Sequence, residues 1–195
     1  MPKKIIIVRH GETDHNARRI LQGHLDTVLN KKGLAQARET AELLKEENID
    51  VIFSSDLSRA LTTAQIVTQN HHKDIIQTKA LRERNFGKLQ GMTYEEIERI
   101  FPLFSIEQDT RVPGYASEQY AIETDEEVAK RIKEFVTIIL VHKNKTVAIF
   151  AHGGSIRPLL IELGVPTDEV KAMSVKNAHP FILEKKGGKY TLISS

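Results

Sequence analysis

Arg9-His10-Gly11 stands at the end of the apolar run Ile5-Ile6-Ile7-Val8, and His152-Gly153-Gly154 stands at the end of a second run, Thr146-Val147-Ala148-Ile149-Phe150-Ala151. Each imidazole is therefore expected where a buried strand opens into a loop, the place where open α/β sheets carry function. A neutral imidazole can attack phosphorus while fixed cations hold the non-bridging oxygens, so a histidine beside an arginine at such an edge points to phosphate chemistry through a covalent intermediate. Arg59, in Ser54-Ser55-Asp56-Leu57-Ser58-Arg59-Ala60, follows another strand-like run and opens a helix. Its guanidinium is placed to grip two oxygens at the same edge, beside free backbone N–H groups. The leaving alkoxide needs a proton, and Glu83, in Leu81-Arg82-Glu83-Arg84, is the carboxyl group chosen to give it. The plainer reading of Glu83 is an ion pair with Arg82 or Arg84.

The elements that must position these groups follow from periodicity. β-Branched and aromatic residues concentrate at about 3–8, 49–53, 74–78, 145–151, 173–184 and 189–193, which predicts strands. Helical spacing runs from Lys31 to Glu47 with Asn30 as N-cap, follows Asp56 with that residue capping the helix, and recurs at 93–100, 125–142 and 154–163. Strands alternating with helices imply an α/β fold: a three-layer α/β/α sandwich with a mostly parallel sheet, and function at the carboxyl ends of its strands. A single domain over 1–195 is expected, with 84–124 as a small cap or substrate-loop insertion. Residues 102–124, holding Pro102, Pro113 and Gly114, read as its long loop. Lys185-Lys186-Gly187-Gly188-Lys189 reads as a hairpin turn.

Composition narrows the partners. Lys plus Arg number 28 against 26 Asp plus Glu, and a net charge of +2 gives no basic field that would argue for nucleic acid or membrane. The absence of cysteine removes disulfides, thiolate metal sites and thiol nucleophiles, and fits a reducing compartment, with the cytoplasm as the expectation. No apolar stretch approaches the ~20 residues that span a bilayer. His71-His72 falls in a polar run and reads as solvated loop rather than metal ligands, while His24 and His179 lie outside the catalytic set.

In order along the chain, the motifs are Arg9-His10-Gly11-Glu12-Thr13 with Asn16, Gln22-Gly23-His24-Leu25-Asp26, and Leu29-Asn30-Lys31-Lys32-Gly33 with Gln36-Ala37. Ser54-Ser55-Asp56-Leu57-Ser58-Arg59-Ala60 with Thr63-Ala64, Leu81-Arg82-Glu83 with Gly87 and Gly91, and His152-Gly153-Gly154-Ser155-Ile156-Arg157 complete the set. Together they resemble the histidine phosphatase superfamily, which includes cofactor-dependent phosphoglycerate mutases, fructose-2,6-bisphosphatases and small acid phosphatases. The resemblance implies His10 as the phosphorylated nucleophile, Arg9 and Arg59 as phosphate clamps, His152 as a stabiliser of the transferring group, and Glu83 as general acid and then base. It further implies Asn16 as a phosphate ligand, Gln22 and Gly23 at the substrate entrance, and the Gly153 amide as a donor beside His152. No metal is expected, because arginines and histidines take over the charge neutralisation.

Three departures bear on the reaction. Leu89-Gln90-Gly91 replaces the Trp-Glu-Gly of many phosphatases and is closer to the mutases; Val28 replaces a frequent proline; and Ala121-Ile122-Glu123-Thr124 replaces a Gly-Gly-Glu-Ser segment. Hydrolysis of a small phosphorylated metabolite, without cofactor, is the first expectation. The alternative is a phosphoglycerate mutase using 2,3-bisphosphoglycerate, favoured by Gln90-Gly91 and opposed by the short 102–124 connection. An inactive phospho-ligand-binding relative is a third reading, opposed by the intact catalytic set.

Overall fold

The structure is a computed structural model in which residues 1–101 and 118–194 are described. Most of the 102–124 loop expectation, with Pro102, Pro113 and Gly114, therefore falls outside the described residues. Six strands form one sheet: β1 (Lys4–Arg9), β2 (Val51–Ser55), β3 (Ile75–Thr78), β4 (Thr146–Ala151), β5 (Pro180–Lys186) and β6 (Lys189–Ser194), in the order β3-β2-β4-β1-β5-β6. The first four in that order are parallel, while β5 and β6 run antiparallel at one side and are joined by the expected Gly187-Gly188 turn.

Alternation in the central strands divides the core. Ile6, Val8, Ile52, Ala148 and Phe150 face α2 (Lys31–Leu44) and α3 (Ser58–Val67), whereas Ile5, Ile7, Phe53, Val147 and Ile149 face α5 (Asp125–Leu140) and α6 (Gly153–Glu162). Each fully buried Ile, Val or Phe in these layers contributes on the order of 1.5–3 kcal/mol of transfer free energy, which pins the strand register. That register matters for chemistry, because Arg9 pairs with Ala151 and the next residues out of the sheet are His10 and His152. The three-layer sandwich expected from the sequence is the architecture observed.

A smaller cluster of Leu21, Leu89, Ile97, Phe101 and Ile122 lies apart from both layers and includes the helix α4 (Tyr94–Ile100). The helix α5 begins with a reciprocal cap in which Thr124 Oγ1 accepts from the Glu127 N–H and the Glu127 carboxylate accepts from the Thr124 N–H. Among the described residues no helix is long and apolar enough to cross a membrane.

Three expectations change. The strand expected over 173–184 begins only at Pro180, because Met173–His179 gives its polar groups to the end of β1 instead of to a ladder. The Val175 carbonyl accepts from Arg9 Nη1 at 2.7 Å, Asn177 Nδ2 donates to the His10 carbonyl, and the Ala178 N–H donates to the Arg9 carbonyl with φ at 51°. Asp56 does not cap α3; it binds Arg82 through two contacts, and the distant Asp26 takes the Ser58 N–H and hydroxyl. Two short helices, α1 (Asp14–Ala17) and α7 (Thr167–Ala172), were not expected from the periodicity.

Candidate active site

A cleft of about 700 Å³, a volume suited to a small molecule, opens at the carboxyl ends of β1 and β4. Arg9, His10, Asn16, Gln22, Gly23, Arg59, Glu83 and Gly153 all line it, so eight of the nine residues singled out from sequence share one cavity. The ninth, His152, is fully buried behind the wall, with its ring centroid 5.1 Å from that of His10.

His10 is buried, and its Nδ1 lies 2.7 Å from the Gly11 carbonyl. A carbonyl only accepts, so the proton sits on Nδ1 and the Nε2 lone pair is left for attack. Burial is the main cause holding this imidazole well below the usual histidine range, followed by the charges of Arg59 and Arg9, against the opposing pull of the Gly11 carbonyl. The ring is therefore neutral at pH 7, as a nucleophile must be.

His152 Nε2 lies 2.9 Å from Ser55 Oγ, which also accepts from the Leu57 N–H. His152 Nε2 is the one acceptor that the Ser55 hydroxyl proton meets among the described residues, and with the proton placed there the other nitrogen, Nδ1, carries the N–H; Nδ1 is buried and has no hydrogen-bond partner. Burial, then Arg59, His10 and Arg9, hold His152 well below its ordinary pKa as well.

Arg59 is fully buried, and burial pushes its pKa down to about 10 against the favourable charges of Glu83 and Asp26. Its fork does not have the freedom expected of a simple two-oxygen grip. Nη1 donates to the Leu25 carbonyl at 2.8 Å and Nη2 to the Gly23 carbonyl at 2.7 Å, leaving Nε without a partner. Arg9 repeats the pattern, with Nη1 on the Val175 carbonyl and a buried, unpartnered Nε. Among the described residues, three of the four buried side-chain polar atoms lacking a partner are thus Arg9 Nε, Arg59 Nε and His152 Nδ1, the fourth being His71 Nε2. Natives rarely leave buried donors unpaired, and an anion has the charge and acceptor oxygens to satisfy such a set.

Asn16 and Gln22 are oriented by their neighbours. Asn16 Oδ1 accepts from the Thr13 N–H, and Gln22 Oε1 meets the hydroxyls of Thr13 and Thr27, which leaves both amide NH2 groups as donors. Glu83 is not paired with its flanking arginines, since Arg82 is held by Asp56 and Arg84 by Asp125. Instead its Oε1 accepts from the Gly154 N–H at 2.8 Å and the Arg84 N–H at 2.9 Å. A Cβ at position 154 would stand 2.2 Å from that oxygen, so only glycine admits the carboxylate there. The other oxygen, Oε2, and Arg9 Nε flank the same small space above Gly153, at 4.0 and 3.9 Å from where its Cβ would be.

Sequence reasoning missed the residues that aim these groups. Ser55 was visible only as part of a motif, and Thr13, Thr27 and Asp26 act through contacts that no spacing encodes. Gln90, read from sequence as a sign of mutase chemistry, does not line the cleft. Its Oε1 accepts from the His24 N–H at 2.6 Å and so fastens the 22–25 loop whose carbonyls hold Arg59.

Residues 5–195 match the histidine phosphatase superfamily (branch 1), and the chain belongs to that family. It is 38% identical to phosphoglycerate mutase-like protein 4 of Arabidopsis thaliana over 168 residues, covering 80% of this chain and 69% of that protein. It is 35% identical to the uncharacterized phosphatase PhoE of Bacillus subtilis over 175 residues, covering 89% of this chain and 84% of the relative. Among solved structures, the mycobacterial glucosyl-3-phosphoglycerate phosphatase in complex with VO3 superposes with a TM-score of 0.85 at 28% identity, covering 98% of each chain.

Proposed function

We propose that this protein is a phosphomonoester hydrolase that acts on small phosphorylated metabolites through a phosphohistidine at His10. The observation that carries the reading is the set of buried donors without partners, Arg9 Nε, Arg59 Nε and His152 Nδ1, gathered around a neutral imidazole whose Nδ1 is tied to a backbone carbonyl. In the first step Nε2 of His10 bonds to phosphorus, the bond to the leaving oxygen breaks with its electron pair, and Glu83 gives that oxygen a proton. Gly11 supports the positive charge that develops on the Nδ1 side of the ring. In the second step Glu83 takes a proton from water, the resulting oxygen attacks phosphorus, and the P–N bond breaks to return neutral His10 and inorganic phosphate. Arg9, Arg59, His152, the Gly153 amide, Asn16 and Gln22 hold the non-bridging oxygens as charge shifts among them. No metal and no organic cofactor enter this scheme. Residues 84–124 act as the cap and substrate loop, with Arg84, Phe86 and Tyr94 supplying its described contribution to the cleft wall.

The similarity to a mutase-like relative keeps transfer to a second hydroxyl as the alternative, with 2,3-bisphosphoglycerate as its cofactor. Gln90 touches this alternative only through the loops that it fastens, since its side chain does not line the cleft. Phosphate release from a panel of phosphorylated metabolites, run beside a coupled assay for interconversion of 2- and 3-phosphoglycerate, decides between them. Stoichiometric release of phosphate with slow interconversion is expected; fast interconversion without release would overturn hydrolysis.

A further inference from the structure

Glu83 sits in irregular backbone between two short 3-10 turns, Lys79–Leu81 and Gly87–Leu89, so no ladder or helix fixes its direction. A side chain from another element does. Arg131, on α5, donates through Nη1 to the carbonyls of Ala80 at 2.6 Å and Arg82 at 2.8 Å, and through Nη2 to the carbonyl of Glu83 at 3.3 Å. The same guanidinium is held by Glu123, with Nε at 2.6 Å from one carboxylate oxygen and Nη2 at 3.0 Å from the other. Glu123 closes the network by accepting from the Asn85 N–H at 3.0 Å, and its own N–H donates to the Asn85 carbonyl at 2.8 Å. Every polar group in this knot is accounted for, and the two charged side chains are only 18% and 15% exposed, which separates it from a solvated surface pair.

We infer that Arg131, anchored by Glu123, is a positioning residue for Glu83, whose carbonyl is also met by His24 Nε2 at 2.8 Å. Arg131 does not line the cleft, so it acts through the backbone of 80–85 and not on substrate. Three carbonyls gathered on one planar fork fix where the chain passes, and from that point the Glu83 carboxylate reaches the Gly154 N–H with one oxygen and keeps the other beside Arg9. Lysine has one charge but no fork, and cannot gather the same carbonyls while keeping both carboxylate oxygens. Proton transfer demands placement to a fraction of an ångström, so loosening the segment costs the proton-donating step before it costs anything else.

The inference rests on Glu83 acting as proton donor, and the test separates the two claims. kcat/KM, which includes steps only through phosphoenzyme formation, is measured for an alkyl phosphate and for p-nitrophenyl phosphate in wild type and in E83Q, R131M, R131K and E123Q. In R131M the alkyl substrate is expected to lose about 10- to 100-fold and the aryl substrate less than about 3-fold, because a good leaving group needs little protonation. R131K falls between R131M and wild type, and E123Q shifts the ratio the same way by a smaller factor, which keeps the test available should R131M fail to fold. Equal losses on both substrates in R131M and E123Q, or none, beside a leaving-group-dependent loss in E83Q, would overturn the role of Arg131 alone. Equal losses in E83Q would overturn the acid role of Glu83 and that of Arg131 with it.

Discussion

The ends of β1 and β4 deliver the same side chain to the same level of the sheet, yet the two imidazoles have different surroundings. His10 is tied by Nδ1 to a backbone carbonyl and lines the cleft; His152 is tied by Nε2 to the Ser55 hydroxyl, lies wholly buried, and keeps Nδ1 unpartnered. Register alone makes the pair adjacent. Their proposed roles diverge through the second nitrogen: a carbonyl partner leaves a lone pair free, and a hydroxyl proton, where it is donated to the ring, leaves an N–H free. A strand-end position thus locates chemistry without assigning it.

Substitutions at the two ends test that division. His10→Ala removes the nucleophile, and phosphatase activity is expected to fall by on the order of 10⁴-fold or more. His152→Ala removes one donor and is expected to cost about 10²- to 10³-fold in kcat, with phosphoenzyme still formed, measured by rapid quench against wild type. Equal losses in the two variants, with no phosphoenzyme in either, would break the distinction. Ser55→Ala leaves both histidines but frees the His152 tautomer, and a loss of about 3- to 10-fold is expected, smaller than a lost donor because the tautomers then share the site. Ring 15N shifts should report a proton on His152 Nδ1 in wild type and a mixture in the variant.

The smallest effect concerns pH and stability. Both histidines have folded pKa values well below 6.5, so the folded state stays neutral where the unfolded chain takes up protons. Below about pH 6.5 the unfolded state binds more protons, and stability falls as pH falls until the folded values are reached, by about 1.4 kcal/mol per pH unit for each histidine. Denaturant midpoints at pH 7.5 and 5.5 should therefore differ more in wild type than in His152→Gln, which carries one titrating group fewer; an unchanged difference would contradict the depressed His152 pKa.

The contrast also explains what the sequence disclosed. Arg9-His10-Gly11 and His152-Gly153-Gly154 were legible because an apolar run that stops at a glycine marks where a buried strand leaves the sheet. The sandwich was legible for the same reason, since Ile5 to Val8 are apolar on both faces. Arg131 was not, because on a helix of known spacing it reads as one more polar position, and its carbonyl partners, Ala80, Arg82 and Glu83, lie 48 to 51 residues away in sequence. The segment at Val175 was misread because a β-branched residue clamped to Arg9 has the composition of a strand without a ladder to join. Asp56 was misread because Arg82 competes for it more strongly than a helix terminus does.

The covalent intermediate at the end of β1 is the point on which the functional reading stands. Rapid-quench labelling with a 32P-phosphomonoester, followed by peptide mapping, should yield acid-labile, base-stable phosphate on the peptide containing His10, absent from His10→Ala and retained in His152→Ala. Label on the His152 peptide, or acid-stable label elsewhere, or turnover with no labelled protein at any quench time, would contradict it.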